Sequence, residues 1–208
     1  MSKVKLNLIA AVSENMGIGF NGALPWRLKK EMAYFTVMTS GVTDQSKKNA
    51  VIMGRVTWDS IPKKYQPLSN RVNIVLTRNV DKIKENVNLY FWIFCVISYQ
   101  SFKKNFQVPE GVIVLPGIDE AISYIDSRPD IEASWVIGGS AIYKAAMEHP
   151  ACDKVYLTEL QKTYDCDTFF PSIDKQKYQL IEEDRVDKEL QTEGDISYYF
   201  RVYKKSST

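Results

Sequence analysis

Short apolar runs rich in β-branched residues alternate along this chain with segments of helical periodicity, and that alternation restricts the fold more than any other feature. Runs that stay apolar on both faces suit strands of a mostly parallel sheet with helices packed on either side. The strand-like runs are Val4 to Val12, Asn49 to Met53, Val72 to Leu76, Val112 to Leu115, Ser134 to Ile137 and Lys154 to Leu160. Helical patterns fall between them at Leu28 to Thr39, Val56 to Ile61, Ile118 to Ser127 and Ser140 to Glu148. Near the C-terminus, Tyr178 to Val186 and Ile196 to Tyr203 flank a polar turn, Thr192 to Asp195, which predicts an antiparallel hairpin. With 208 residues there is length for one generous domain. The expected architecture is therefore α/β: one domain over 1–208, a mostly parallel central sheet flanked by helices on both faces, and a C-terminal antiparallel hairpin.

Leu89 to Tyr99 breaks the rhythm. This mostly apolar run is well short of the roughly 20 residues needed to cross a bilayer. It is expected to form an extra strand or a buried connection within an apolar insertion spanning about 86–110, with a partner surface or a membrane-surface contact as the alternative.

Charge and rare residues remove several kinds of chemistry. Lys and Arg number 27 against 25 Asp and Glu, a formal net charge of +2 without a basic stripe, so a nucleic acid or an acidic membrane is not an expected partner. Any anion must be gripped locally. The three cysteines, Cys95, Cys152 and Cys166, are odd in number and lack metal-site spacing, and a reducing cytosol is the expected compartment. His149 is the single histidine, so histidine-based triads and metal sites are set aside.

One charge stands where the pattern calls for an apolar residue. On a helix from Leu28, the residues Leu28, Met32, Phe35, Met38 and Thr39 form a stripe, and Glu31 projects into its edge while Lys29, Lys30, Ala33 and Thr36 face away. Burying a carboxylate without partners is strongly unfavourable. Glu31 therefore has an internal cation, is tolerated at the edge, or meets a ligand that donates hydrogen bonds to it. Just before the helix, Asn15 to Trp26 holds three glycines and a proline, a loop able to approach a ligand closely or to move as a lid. Trp26 precedes Glu31 by five residues, so an indole N–H and a carboxylate can line one pocket.

Two strand-turn-helix segments are suited to anions. Ser134 to Tyr143 places Gly138-Gly139 before a helix beginning near Ser140, and Val51 to Trp58 repeats the arrangement with Arg55 and Thr57. Thr77-Arg78 follows the strand Val72 to Leu76. Two helix N-termini and two arginines at strand ends suit a nucleotide carrying an extra phosphate, although Arg55 and Arg78 are equally ordinary as solvated loop residues. Arg71, after Pro67-Leu68, offers either a carboxylate fork or a surface salt bridge.

In order and spacing, these pieces resemble the dihydrofolate reductase family of the eukaryotic kind: Asn15-Met-Gly-Ile-Gly, Leu24-Pro25-Trp26 with Glu31, Val51 to Trp58, Ile61-Pro62, Arg71 before Ile74-Val75-Leu76, Ile137 to Tyr143, and Asp167-Thr-Phe-Phe-Pro171. The resemblance implies a cytoplasmic, monomeric, metal-free enzyme that reduces 7,8-dihydrofolate to tetrahydrofolate with NADPH, supporting one-carbon metabolism and thymidylate and purine synthesis. It implies that Glu31 binds the pterin beside an ordered water held by Trp26, with Thr158 supporting that side. Ile9, Leu24, Phe35, Ile61, Leu68 and Ile137 would enclose the substrate rings, and Arg71 would clamp the carboxylate of the glutamate tail. On the cofactor side it assigns Ala11 and Ile18 to the nicotinamide. Thr57 with Gly138, Gly139, Ser140, Ala141 and Ile142 would hold the diphosphate, and Arg55, Thr77 and Arg78 the 2′-phosphate. Tyr143 would stand between the two pockets.

The chain departs from the family where Arg55-Val56 shows one basic residue in place of two, and where Leu115-Pro116-Gly117 has none. Two other readings remain: another NADPH-dependent pterin or pyrimidine reductase, and a non-catalytic folate- or nucleotide-binding module. Glu31 after Trp26, together with Arg71, speaks against the first, and intact Glu31, Trp26 and Thr57 against the second.

Overall fold

Eleven strands and four helices appear in the computed structural model, which describes residues 4–78 and 109–206. The run Leu89 to Tyr99, and almost all of the expected insertion with it, lies outside those residues. In chain order the strands are β1 (Leu6–Val12), β2 (Gly17–Gly19), β3 (Lys48–Gly54), β4 (Arg71–Leu76), β5 (Ile113–Leu115), β6 (Ile131–Gly138), β7 (Cys152–Leu160), β8 (Thr168–Phe169), β9 (Tyr178–Ile181), β10 (Gln191–Glu193) and β11 (Ile196–Lys205). The helices are α1 (Lys29–Ser40), α2 (Arg55–Ser60), α3 (Ile118–Asp126) and α4 (Ser140–Glu148). No helix among the described residues is long and apolar enough to cross a membrane.

The main sheet runs β10-β11-β7-β1-β6-β3-β4-β5, with β9 also paired to β11. From β7 to β5 every pairing is parallel; β11 joins β7 antiparallel. Alternation along the strands sorts the core into two layers. Leu6, Leu8, Ala10 and Val12 of β1 pack with Ala121, Ile122 and Ile125 of α3 and with Tyr143 and Ala146 of α4. Ile9 points the other way, into a layer with Leu28, Met38, Val51, Met53, Trp58 and Trp135, under α1 and α2. Both faces are thus covered, as the continuous apolar runs require.

Three expectations need correction. The arm Tyr178 to Val186 shortens to β9, and the strand that closes the hairpin with β11 is β10. Gly194, at φ 64, is the first of two turn residues between Glu193 and Ile196, a position that wants positive φ. The Asn15 to Trp26 segment is not wholly loop, because β2 within it pairs antiparallel with β8. Met32, assigned to the apolar stripe of α1, is 49% exposed, whereas Glu31 is 6% exposed. The buried face of α1 is rotated toward Glu31, Met38 and Thr39, since tertiary packing, not periodicity, sets how a helix is turned.

Candidate active site

Parallel strands end together, and the C-terminal ends of β1, β3, β6 and β7 open beneath α1. Ala11 of β1 pairs in register with Thr158 of β7, so their side chains share a face with Ile9. The first turn of α1 delivers Glu31 to this floor. Removal from water pushes the Glu31 carboxyl up from 4.5 to about 7; Thr158 opposes that rise and the negative charge of Glu193 adds to it. No cation pairs with Glu31 among the described residues. Thr158 faces it closely enough to moderate its acidity, yet the buried Thr158 Oγ1 closes no hydrogen bond of normal geometry, and neither does the buried Trp26 Nε1. A buried acid faced by the Thr158 hydroxyl, with the unpaired indole N–H of Trp26 in the layer beneath α1, forms a set of groups suited to a heterocycle rich in donors and acceptors.

Apolar walls rise from the same layer. Ile9 and Trp26 are buried in it, and Ala11, Phe35, Ile61, Leu68 and Ile137 pack partly buried against it. Leu24 belongs to neither core layer and is 49% exposed. Buried Asn73 fixes the Leu68 wall, its Nδ2 donating to the Leu68 carbonyl and its Oδ1 accepting from the Leu68 N–H, each at 2.9 Å. Gln66 Nε2 likewise donates to the carbonyls of Trp58 and Ile61. Sequence reading passed over both amides. An Asn inside the run Val72-Asn73-Ile74 was the available signal.

Arg71 lies one helix length away. Its Nη1 donates to Thr39 Oγ1 at 2.7 Å, and its Nε to the Ser69 carbonyl at 2.9 Å. No carboxylate pairs with it among the described residues, and partial burial lowers its pKa. Glu31 and Thr39 are eight residues apart on α1, about 12 Å along the axis. The acid and the guanidinium therefore stand at opposite ends of α1 on its buried side.

A second cradle forms where β3 and β6 give way to α2 and α4. Gly138 has φ 121, a region side chains avoid, and a Cβ there would lie 3.3 Å from Thr57 Oγ1. At Gly139 the same distance would be 3.2 Å. A side chain on either glycine would therefore press on the Thr57 hydroxyl. Gly139 is the N-cap of α4 and offers no capping side chain, which leaves first-turn N–H groups facing the cradle. Ile142 donates its N–H to the Gly139 carbonyl, and Ser140 Oγ donates to the Phe169 carbonyl at 2.6 Å, so Ser140 and Ala141 can contribute there chiefly through backbone. Ile18 and Ile142 pack partly buried against the α3/α4 layer. Thr77 is buried and Arg78 exposed at the end of β4. Arg55 is engaged, its Nη1 lying 2.8 Å from Asp59 Oδ2 one turn along α2.

The chain is similar to known proteins along nearly its whole length. The family model described as dihydrofolate reductase matches residues 5–101 and 93–205. A dihydrofolate reductase of Heliothis virescens is 64% identical over 205 residues, covering 99% of this chain and 100% of that protein. The dihydrofolate reductase of Sus scrofa is 39% identical, with 97% and 98% covered. Among solved structures, the Schistosoma mansoni dihydrofolate reductase superposes with a TM-score of 0.73 at 31% identity, covering 99% of this chain and 100% of its own. With likeness of that depth running from end to end, the chain belongs to the dihydrofolate reductase family of oxidoreductases.

Proposed function

We propose that this enzyme reduces 7,8-dihydrofolate to tetrahydrofolate with NADPH, and that Glu31 orients the pterin and holds the proton the ring needs at N5. The observation that carries this reading is the acid itself: nearly sealed from water, without a cation partner among the described residues, and with a carboxyl that burial pushes up to about 7. A carboxyl poised there can exchange a proton at working pH without a metal or a covalent step. Trp26 Nε1 and Thr158 Oγ1 stand ready to bond the ring or a water beside it, and Ile9, Phe35, Ile61, Leu68 and Ile137 exclude bulk water from its faces. Arg71 takes the carboxylate of the substrate's glutamate tail, with Thr39 holding the guanidinium in place.

The cradle at Gly138 and Gly139 fits the cofactor's diphosphate, since a Cβ on either glycine would crowd Thr57 and the α4 N-terminus faces the space. Ala11, Ile18 and Tyr143 would line the nicotinamide, Thr57 with Gly138 to Ile142 the diphosphate, and Arg55, Thr77 and Arg78 the 2′-phosphate. When bound, the reduced nicotinamide supplies the hydride for pterin C6. The protein's part is alignment and the proton. A single copy of the chain in the cytosol is the proposed working unit.

Mixing the purified protein with NADPH and dihydrofolate and following the nicotinamide absorbance tests the reading. Sustained turnover is expected with NADPH and much less with NADH. Binding of both without turnover would leave only a folate-binding module.

A further inference from the structure

We propose that Glu193, reaching from the C-terminal hairpin, is the positioning residue that holds Glu31 at its place facing Thr158. Leu28 stands at the N-cap of helix α1, and its apolar side chain makes no cap. Its first N–H groups must be satisfied from elsewhere. Glu193 does this across 163 residues of chain: Oε2 accepts from the Lys29 N–H at 2.6 Å and Oε1 from the Lys30 N–H at 3.1 Å. Glu31 is the next residue. The turn that carries the acid is therefore clamped by a two-pronged, charge-assisted contact, and Tyr198 of β11, fully buried, stands 3.5 Å from Glu193 Oε1.

The clamp has a second consequence. A carboxyl in the first turn of a helix is normally favoured as the anion by the positive helix end and its free N–H groups. Glu193 occupies two of those groups and brings its own negative charge, so both effects turn toward keeping Glu31 protonated. The other groups facing Glu31 are Thr158 on β7, Tyr34 on α1, Tyr143 on α4 and Tyr198 on β11. All three phenols are pushed upward by burial and stay neutral near pH 7, which leaves Glu193 as the charge in this set.

This rests on the role proposed for Glu31, but its test does not depend on turnover. In the full-length protein, the Glu31 carboxyl carbon is followed through a pH titration by carbon-13 NMR, its signal assigned by its loss in Glu31→Gln. In Glu193→Gln the midpoint is expected to move acidward by roughly half a pH unit or more, because a like charge has gone. Glu193→Asp keeps the charge on a shorter arm and should hold the midpoint. The Lys29 and Lys30 amides should exchange about tenfold faster in Glu193→Ala as the clamp is lost. If Glu193→Ala does not fold, the near-isosteric Glu193→Gln carries the decision. A folded Glu193→Gln with an unmoved Glu31 midpoint overturns the proposal. Full turnover by Glu31→Gln would instead overturn the role of Glu31, and the titration would still report on Glu193.

Discussion

Tyr143 donates its phenolic O–H to the carbonyl oxygen of Ile9 at 2.7 Å, a buried bond that joins α4 to the middle of β1 across 134 residues. It ties the helix that follows the Gly138-Gly139 turn to the strand that carries Ile9 and Ala11. Because the ring is packed against Phe170 at a centroid distance of 4.7 Å, Tyr143→Phe should keep the packing and lose only the bond. A loss of about 1 kcal/mol is expected, read as a lower urea midpoint at unchanged m-value. An unchanged midpoint would mean the bond adds nothing to stability.

Glu31→Gln should slow turnover at neutral pH by about 10²- to 10⁴-fold, the usual range for a positioned acid. Part of the loss should return in acid, where dihydrofolate arrives protonated. Equal turnover of mutant and wild type at pH 7 would remove Glu31 from the chemistry.

The same substitution should stabilise the unliganded fold at high pH. Between about pH 4.5 and 7 the folded state holds a proton on Glu31 that the unfolded chain has released, so wild-type stability falls as pH rises through that window. At pH 8 the deficit amounts to about 3 kcal/mol as an upper order of magnitude, and a neutral Gln does not incur it. Thermal midpoints of mutant and wild type should therefore diverge at pH 8 and converge below pH 4.5. A constant gap would show that Glu31 titrates normally.

Arg71→Leu should raise KM for dihydrofolate by roughly 10- to 100-fold, the worth of a charge-assisted bond. Reduction of a pterin without the glutamate tail should change little. Parallel losses for both substrates would place the effect in the Thr39 and Ser69 contacts and not in a carboxylate clamp.

Asp59→Asn should release Arg55 from its exposed ion pair. Affinity for NADP⁺ should improve about two- to fivefold, in line with the modest strength of such pairs, while NAD⁺ binding stays constant in calorimetry. An equal change for both nucleotides would show that Arg55 does not reach the 2′-phosphate.

Much of the fold was legible because its parallel strands are mostly apolar and its helices follow strand ends. Expected and observed helices agree within one residue at each end, and Ile9, Ala11 and Ile137 gather in one layer because strand alternation sends them there, with Phe35 of α1, Ile61 and Leu68 packed onto it from the connecting segments. Glu31 was conspicuous for the same reason, as a charge interrupting a periodic stripe. Local pattern cannot say which way a helix is finally turned, and so Met32 was misplaced in the core. Nor can it reveal a cap supplied from 163 residues away. Periodicity reports how a segment partitions between water and core, a property each residue carries along the chain. The Glu193 clamp, the Arg71–Thr39 bond and the raised proton affinity of Glu31 arise only when distant segments close together and water is excluded between them.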